Sequence, residues 1–257
     1  ALMEVVAMST DLAEFLGAAL GFNLLLGVPL GIAGLLTAVA TFAILWLERY
    51  GFRKLEAVIT GLVGTIALCY GIELFLVKPD WSLVLHHAVV PGLAGTESLT
   101  IAIGILGATV MPHVIFLHSA LMQGRIVAKN PEQMLRLFRY EQIDVILAMG
   151  IAGLINAAML IMAAETFHKA GMVNVDAIEK AYETLTPLLG GMASTVFGIS
   201  LLASGLSSSA VGTMSGQIIM QGFLKWHIPL WIRRGVTMAP ALIVIYMGFD
   251  PTQSLII

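Results

Sequence analysis

Pro112 interrupts an apolar run long enough to cross a membrane, in the stretch Gly107-Ala108-Thr109-Val110-Met111-Pro112-His113, which continues as Val114-Ile115-Phe116-Leu117-His118-Ser119. Proline has no N–H to give, so the carbonyl of Ala108 is left without its helical partner. In hydrocarbon such a carbonyl is costly unless it lines a cavity or finds a ligand. Met111 sets a thioether three residues away, and soft sulfur favours transition-metal ions over Ca²⁺ and Mg²⁺, which prefer hard oxygen. Ala108 and Met111 together read as the start of a metal site. His113 and His118, five apart on the interrupted helix, read as proton carriers beside it, because histidine titrates near physiological pH. The plainer alternatives are hydrogen-bonded core histidines and a packing methionine; the position beside the break is what raises Met111. His-Glu-x-x-His spacing is absent, as is any nucleophile–base pair, so neither a zinc protease nor another enzyme is expected.

A second group of residues is costly in a membrane. Asp11 and Glu14 share one face of the first apolar segment, and Glu4 lies a further turn away. A charged side chain at the bilayer centre costs at least about 2.5–3.5 kcal/mol, so such groups face the bundle interior and find partners. Arg233 and Arg234, near the start of segment 228–248, are the candidate partners. The competing reading has the arginines snorkel to the interface and the acids sit at a helix end. A proton-relaying network is the preferred one. Asn156, mid-span in Gly153-Leu-Ile-Asn156, either supports hydration near the site or bonds a neighbouring helix.

These residues need spanning helices to position them. Of the 257 residues 58% are hydrophobic and 11% charged, and the mean hydropathy is +0.94. Soluble domains carry roughly a quarter charged residues, so the class is an all-α, multi-pass integral membrane protein whose surroundings are the lipid bilayer. The net charge of −3 suggests no nucleic-acid partner, and the one cysteine, Cys69, excludes a disulfide framework. Spans of roughly 20 residues are expected near 1–20, 24–47, 55–77, 99–122, 141–164, 188–210 and 228–248, with an eighth opening near 252. Segment 174–185 is too polar to span and reads as a surface amphipathic helix.

Ten of the 13 Lys and Arg side chains fall on the side of connections 48–54, 123–140 and 225–227. Lys78, Lys169 and Lys180 fall on the other. Lys/Arg bias makes the first side cytoplasmic, so segment 99–122 runs inward. Ala1 to Ser9 reads as mid-helix and Ser254 to Ile257 as the opening of another span, so the expectation is an interior piece of a longer protein.

Ala108-Thr-Val-Met-Pro-His113 with Leu117-His-Ser-Ala120 resembles the sixth-helix motif of the Nramp (natural resistance-associated macrophage protein) divalent-metal transporters. Ser9-Thr-Asp-Leu-Ala-Glu14 resembles their third helix. Ala203-Ser-Gly-Leu-Ser-Ser208 and Gly212-Thr-Met-Ser-Gly-Gln217 resemble the end of their eighth helix and the loop after it. The resemblance implies a LeuT-like inverted-repeat transporter fold in one transmembrane domain over 1–257. Residues 1–77 would close the first repeat and 98–257 would form most of the second, with the first two helices and the C-terminal end missing.

The resemblance also implies roles. Met111 becomes the sulfur ligand and Ala108 the carbonyl ligand. His113 is a proton-pathway or gate residue, and His118 lies along the inner vestibule. Asp11, Glu14, Arg233 and Arg234 form the proton route, with Glu4 and Asn156 as possible support. Two departures stand out. Val114 replaces an Asn common after Met-Pro-His, and the Asp-Pro-Gly-Asn motif of the first helix is absent, with a tenth-helix ligand expected at or beyond Ile257. The fragment then holds half a metal site and needs the missing helices to transport.

The expected function is proton-coupled import of Mn²⁺ or Fe²⁺ across the bacterial inner membrane, with protons co-transported and no cofactor. The alternatives are a same-fold transporter of Mg²⁺ or an organic solute, and a non-transporting fragment.

Overall fold

Capping chemistry and prolines decide where the apolar runs become separate helices. The computed structural model describes residues 2–90, 92, 95–123, 127, 128, 130–171, 177–225 and 228–247. Helix α1 (Leu2–Leu26) is followed by a Gly27-Val28-Pro29 turn and α2 (Leu30–Trp46), which runs into a 3₁₀ turn (Leu47–Tyr50). Helix α3 (Phe52–Val77) ends at Lys78 in the left-handed region. Pro79 prevents its continuation, and Asp80 then caps the short α4 (Trp81–Val89) by accepting from the amides of Ser82 and Leu83.

Helices α5 (Thr96–Thr109) and α6 (Val114–Gln123) are the two halves of the expected broken span. Val110 is extended (φ −102°, ψ 111°), and helical bonding resumes only with Val114 N–H donating to the Met111 carbonyl at 3.1 Å. That is the interruption required by a proline without an N–H.

Helix α7 (Pro131–Ala163) starts ten residues before the span expected at 141. Asn130 caps it, accepting from the Gln133 amide at 2.8 Å, and Pro131 occupies the first turn. Polar residues therefore form the exposed start of the same rod. It finishes in a π turn (Ala164–His168). Helix α8 (Ile178–Leu189) is the expected amphipathic helix, displaced toward the C-terminus, with Leu185 buried and Lys180 exposed. Helix α9 (Gly191–Ile219) and its π turn (Met220–Leu224) extend well past 210. Helix α10 (Leu230–Tyr246) carries the arginine pair.

Among the described residues six helices are long and apolar enough to cross a membrane: Met3–Leu26, Leu30–Tyr50, Phe52–Val77, Ser98–Gln123, Pro131–His168 and Gly191–Phe223. Helix α10, at 17 residues, falls short of that length. No strand occurs among the described residues. Arg125, Lys129, His227 and the segment opening near 252 lie outside them.

Helices α1 and α9 form the central pair, flanked by α2 and α10 on one side and by α3 on the other. Phe15, Leu16 and Ala19 of α1 pack against Ala33 of α2 and Met238, Ala241 and Ile245 of α10. Ala18, Leu206, Ala210 and Met214 join Leu55 and Leu117 in a second cluster. Leu68, Phe75, Leu106 and Leu154 instead point outward, 65–79% exposed. A rim this apolar fits hydrocarbon rather than water.

Small residues let the central pair approach closely. A Cβ on Gly205 would lie 2.5 Å from the Ala18 amide nitrogen, a backbone atom that cannot swing away. Gly205→Val is expected to part α1 from α9 and destabilise the protein by about 1–3 kcal/mol or more, read as a lower unfolding temperature in detergent. An unchanged temperature would contradict the close packing.

Candidate metal and proton centre

The network is assembled by spacing. Glu4 and Asp11 are seven residues apart on α1, two turns along one face. Arg233 and Arg234 are adjacent on α10, so their side chains diverge by about 100°. One arginine therefore reaches each acid. Arg234, fully buried, donates from Nη1 to Asp11 Oδ1 at 2.5 Å and Oδ2 at 2.7 Å. Arg233, 5% exposed, pairs with Glu4 and donates from Nε to the Thr213 carbonyl at 3.2 Å. Neither arginine snorkels to the interface.

Hydroxyl groups supply further partners for Nη1 and Nη2, while Arg234 Nε has none among the described residues. Ser209 donates to Asp11 Oδ1 at 2.7 Å and accepts from Arg234 Nη2 at 2.7 Å. Thr41 of α2 accepts from the same nitrogen and Thr213 of α9 from Nη1, both at 3.2 Å. Each threonine hydroxyl in turn donates to the carbonyl four residues back, on Thr37 and Ser209 respectively. Such bonds offset much of the desolvation cost of a buried ion pair. Helices α1, α2, α9 and α10 thus meet at one guanidinium.

Two groups beside the network are unpaired. Among the described residues Glu14 has no hydrogen-bond partner for either carboxyl oxygen, although Asp11 is one turn away. His113, from the break between α5 and α6, is fully buried, and both its ring nitrogens lack partners among the described residues. The broken helix therefore brings a buried imidazole into the interior of the bundle.

The other expected site residues make no hydrogen bond to that network among the described residues. Ala108 is exposed and Met111 half-buried. No cluster of three or more His, Cys, Asp and Glu able to hold a metal occurs among the described residues. His118 is solvent-facing and pairs through Nε2 with Glu141 Oε1 at 2.9 Å. Asn156 is half-buried on α7.

Thr41, Ser209, Thr213 and Glu141 escape sequence reasoning. The two threonine hydroxyls donate within their own helices, Ser209 donates across to α1, and none leaves a periodic signal. Glu141 falls in a polar stretch without special pattern. A fifth residue, Glu73, carries a clear signal, as an acid inside the apolar run of α3.

Gly216 makes room for the outer pair. A Cβ there would lie 1.8 Å from Arg233 Nη2. Gly216→Ala is expected to expel that guanidinium, break the Glu4 pair and cost about 1–3 kcal/mol, while the Asp11–Arg234 pair survives. Thermal unfolding compared with that of Glu4→Gln checks this, since the two changes remove the same pair and should not add.

A family model described as Nramp, natural resistance-associated macrophage protein-like, matches residues 1–257. The divalent metal cation transporter MntH of Caldanaerobacter subterraneus is 52% identical over 254 residues, covering 99% of this chain and 60% of its own. The MntH protein of Deinococcus radiodurans is 54% identical over 254 residues, covering 99% and 58%. A variant of the Eremococcus coleocola manganese transporter, solved by crystallography, superposes with a TM-score of 0.85 at 33% identity, over 99% of this chain and 57% of that one. The chain thus spans about 60% of the length of the curated relatives it matches.

Proposed function

The chain belongs to the Nramp family of multi-pass membrane transporters and has its LeuT-like fold, and from that premise we propose that the protein carrying it imports Mn²⁺ or Fe²⁺ across the bacterial inner membrane together with protons. The single observation that carries the proposal is the broken helix α5–α6. It holds Met111 and the Ala108 carbonyl at the break, and just beyond them it buries the unpartnered imidazole of His113.

In this reading the entering ion exchanges part of its water for the Met111 sulfur and the Ala108 carbonyl. The remaining, hard-oxygen ligands come from helices outside this chain. The thioether favours a transition metal over Ca²⁺ and Mg²⁺. Protons travel a route of their own, through His113 and Glu14 and the Asp11, Arg233 and Arg234 network, with Glu4 holding Arg233. His118, paired with Glu141, lies on the inward exit, and Asn156 supports hydration on α7. No chemical step on the metal is involved, so the protein is a carrier and not an enzyme. The identity of the MntH relatives as divalent metal cation transporters supports the substrate class.

Uptake of Mn²⁺ by the full-length protein in proteoliposomes tests this reading. Uptake is expected to rise with an inward proton gradient and to resist competition by Ca²⁺. Absent Mn²⁺ uptake, or ready block by Ca²⁺, would mean that the same scaffold carries another solute.

A further inference from the structure

The third apolar cluster surrounds a carboxyl that the network above does not use. Glu73 lies on α3, one turn inside its C-terminal end, and is 0% exposed. Neither of its oxygens has a hydrogen-bond partner among the described residues. Periodicity puts it there. Ile66, Tyr70, Glu73 and Val77 recur at three- and four-residue intervals, so they form one stripe of the helix. That stripe packs on Met162 of α7, Phe167 of the π turn, Leu185 of α8, and Ala193 and Phe197 of α9.

No countercharge is supplied. From its own helix Cys69 and Tyr70 face it, and the Tyr70 phenol meets the Ser200 hydroxyl of α9. No hydrogen bond or ion pair reaches its oxygens from α7, α8 or α9 among the described residues. On the π turn, Glu165 is taken by Lys169 at 2.9 Å, and the buried Thr166 hydroxyl is itself unpaired. The nearby end of α3 presents carbonyl oxygens, the negative pole of the helix dipole, which also disfavours an anion. A carboxylate in such a place is neutralised or paired, and the helices around it provide no pair.

We propose that Glu73 is a second proton-binding site of the membrane interior, separate from the Asp11–Arg234 network, which keeps its proton while α3 is packed on α7, α8 and α9. When that end opens, the carboxyl O–H breaks, the proton passes to water and the hydrated carboxylate remains. Packing of this end is thereby linked to proton uptake, and acid favours the closed arrangement. The inference is independent of which ion the protein carries.

Infrared difference spectra of the full-length protein in lipid vesicles test it, recorded between wild type and Glu73→Gln at stepped pH. The expected result is a protonated-carboxyl carbonyl stretch at neutral pH that is missing from Glu73→Gln. Glu73→Asp, which keeps an acid in the stripe, is expected to retain the band at a shifted frequency, so the assignment does not depend on the glutamine variant alone. A difference spectrum holding only carboxylate bands at neutral pH would overturn the proposal, as would identical spectra for all three proteins.

Discussion

Arg234→Ala is expected to destabilise the full-length protein by about 3–5 kcal/mol, the usual penalty for leaving a buried charge without its partner. Asp11 would keep only the Ser209 hydroxyl from its present set of donors. Removing the acid instead, in Asp11→Ala, strands a fully buried guanidinium and should cost a similar amount. The diagnostic variant is the double change Asp11→Asn with Arg234→Met. It removes both charges at nearly constant volume, and replacing a buried pair by neutral groups is often neutral or stabilising. Thr41 and Thr213 still donate to backbone carbonyls, so few polar groups are orphaned. The double variant should therefore unfold near the wild-type temperature while losing proton coupling. If it melts as low as either single variant, the pair is a structural strut and the proton route lies elsewhere.

Met111→Ala is expected to change selectivity rather than stability. Met111 is half-buried, so shortening it opens little core. Loss of the thioether leaves a site of oxygen ligands, which a hard ion tolerates as well as a soft one. The variant should still pass Mn²⁺, and Ca²⁺ should inhibit that uptake at concentrations at least about tenfold lower, equivalent to about 1.4 kcal/mol. Competition curves in proteoliposomes measure the ratio. Unchanged exclusion of Ca²⁺ would assign Met111 to packing alone.

Much of this was legible from residue chemistry. A proline inside an apolar run dictates a broken helix, and the break at Val110 to His113 follows from one missing N–H. Acids and arginines in spans demand one another, and the structure brings them together. The pairing itself was less legible. Asp11 and Glu14 looked like the couple for the arginines because they share a face, yet Glu4 takes Arg233 and Glu14 remains unpaired. The reason is three-dimensional: adjacent arginines diverge around α10, and only acids two turns apart on α1 match that divergence.

Helix ends were misplaced for a different reason. Hydropathy marks where lipid begins, whereas caps mark where a helix begins, and in α7 the two lie ten residues apart. The stretch 205–224 is rich in Gly and Ser, which are weaker helix formers than Ala. Close packing of Gly205 and Gly212 on α1 overrides that.

If protons and metal use different residues, the two fluxes can be separated by substitution. Simultaneous recording of Mn²⁺ entry and internal acidification in proteoliposomes decides this, comparing the full-length protein with its Asp11→Asn/Arg234→Met variant. Both proteins are expected to admit Mn²⁺, and only the unmodified one to acidify the lumen as it does so. Acidification by the variant at the unmodified rate, or loss of both fluxes in a variant that remains folded, would refute the separation of the two routes.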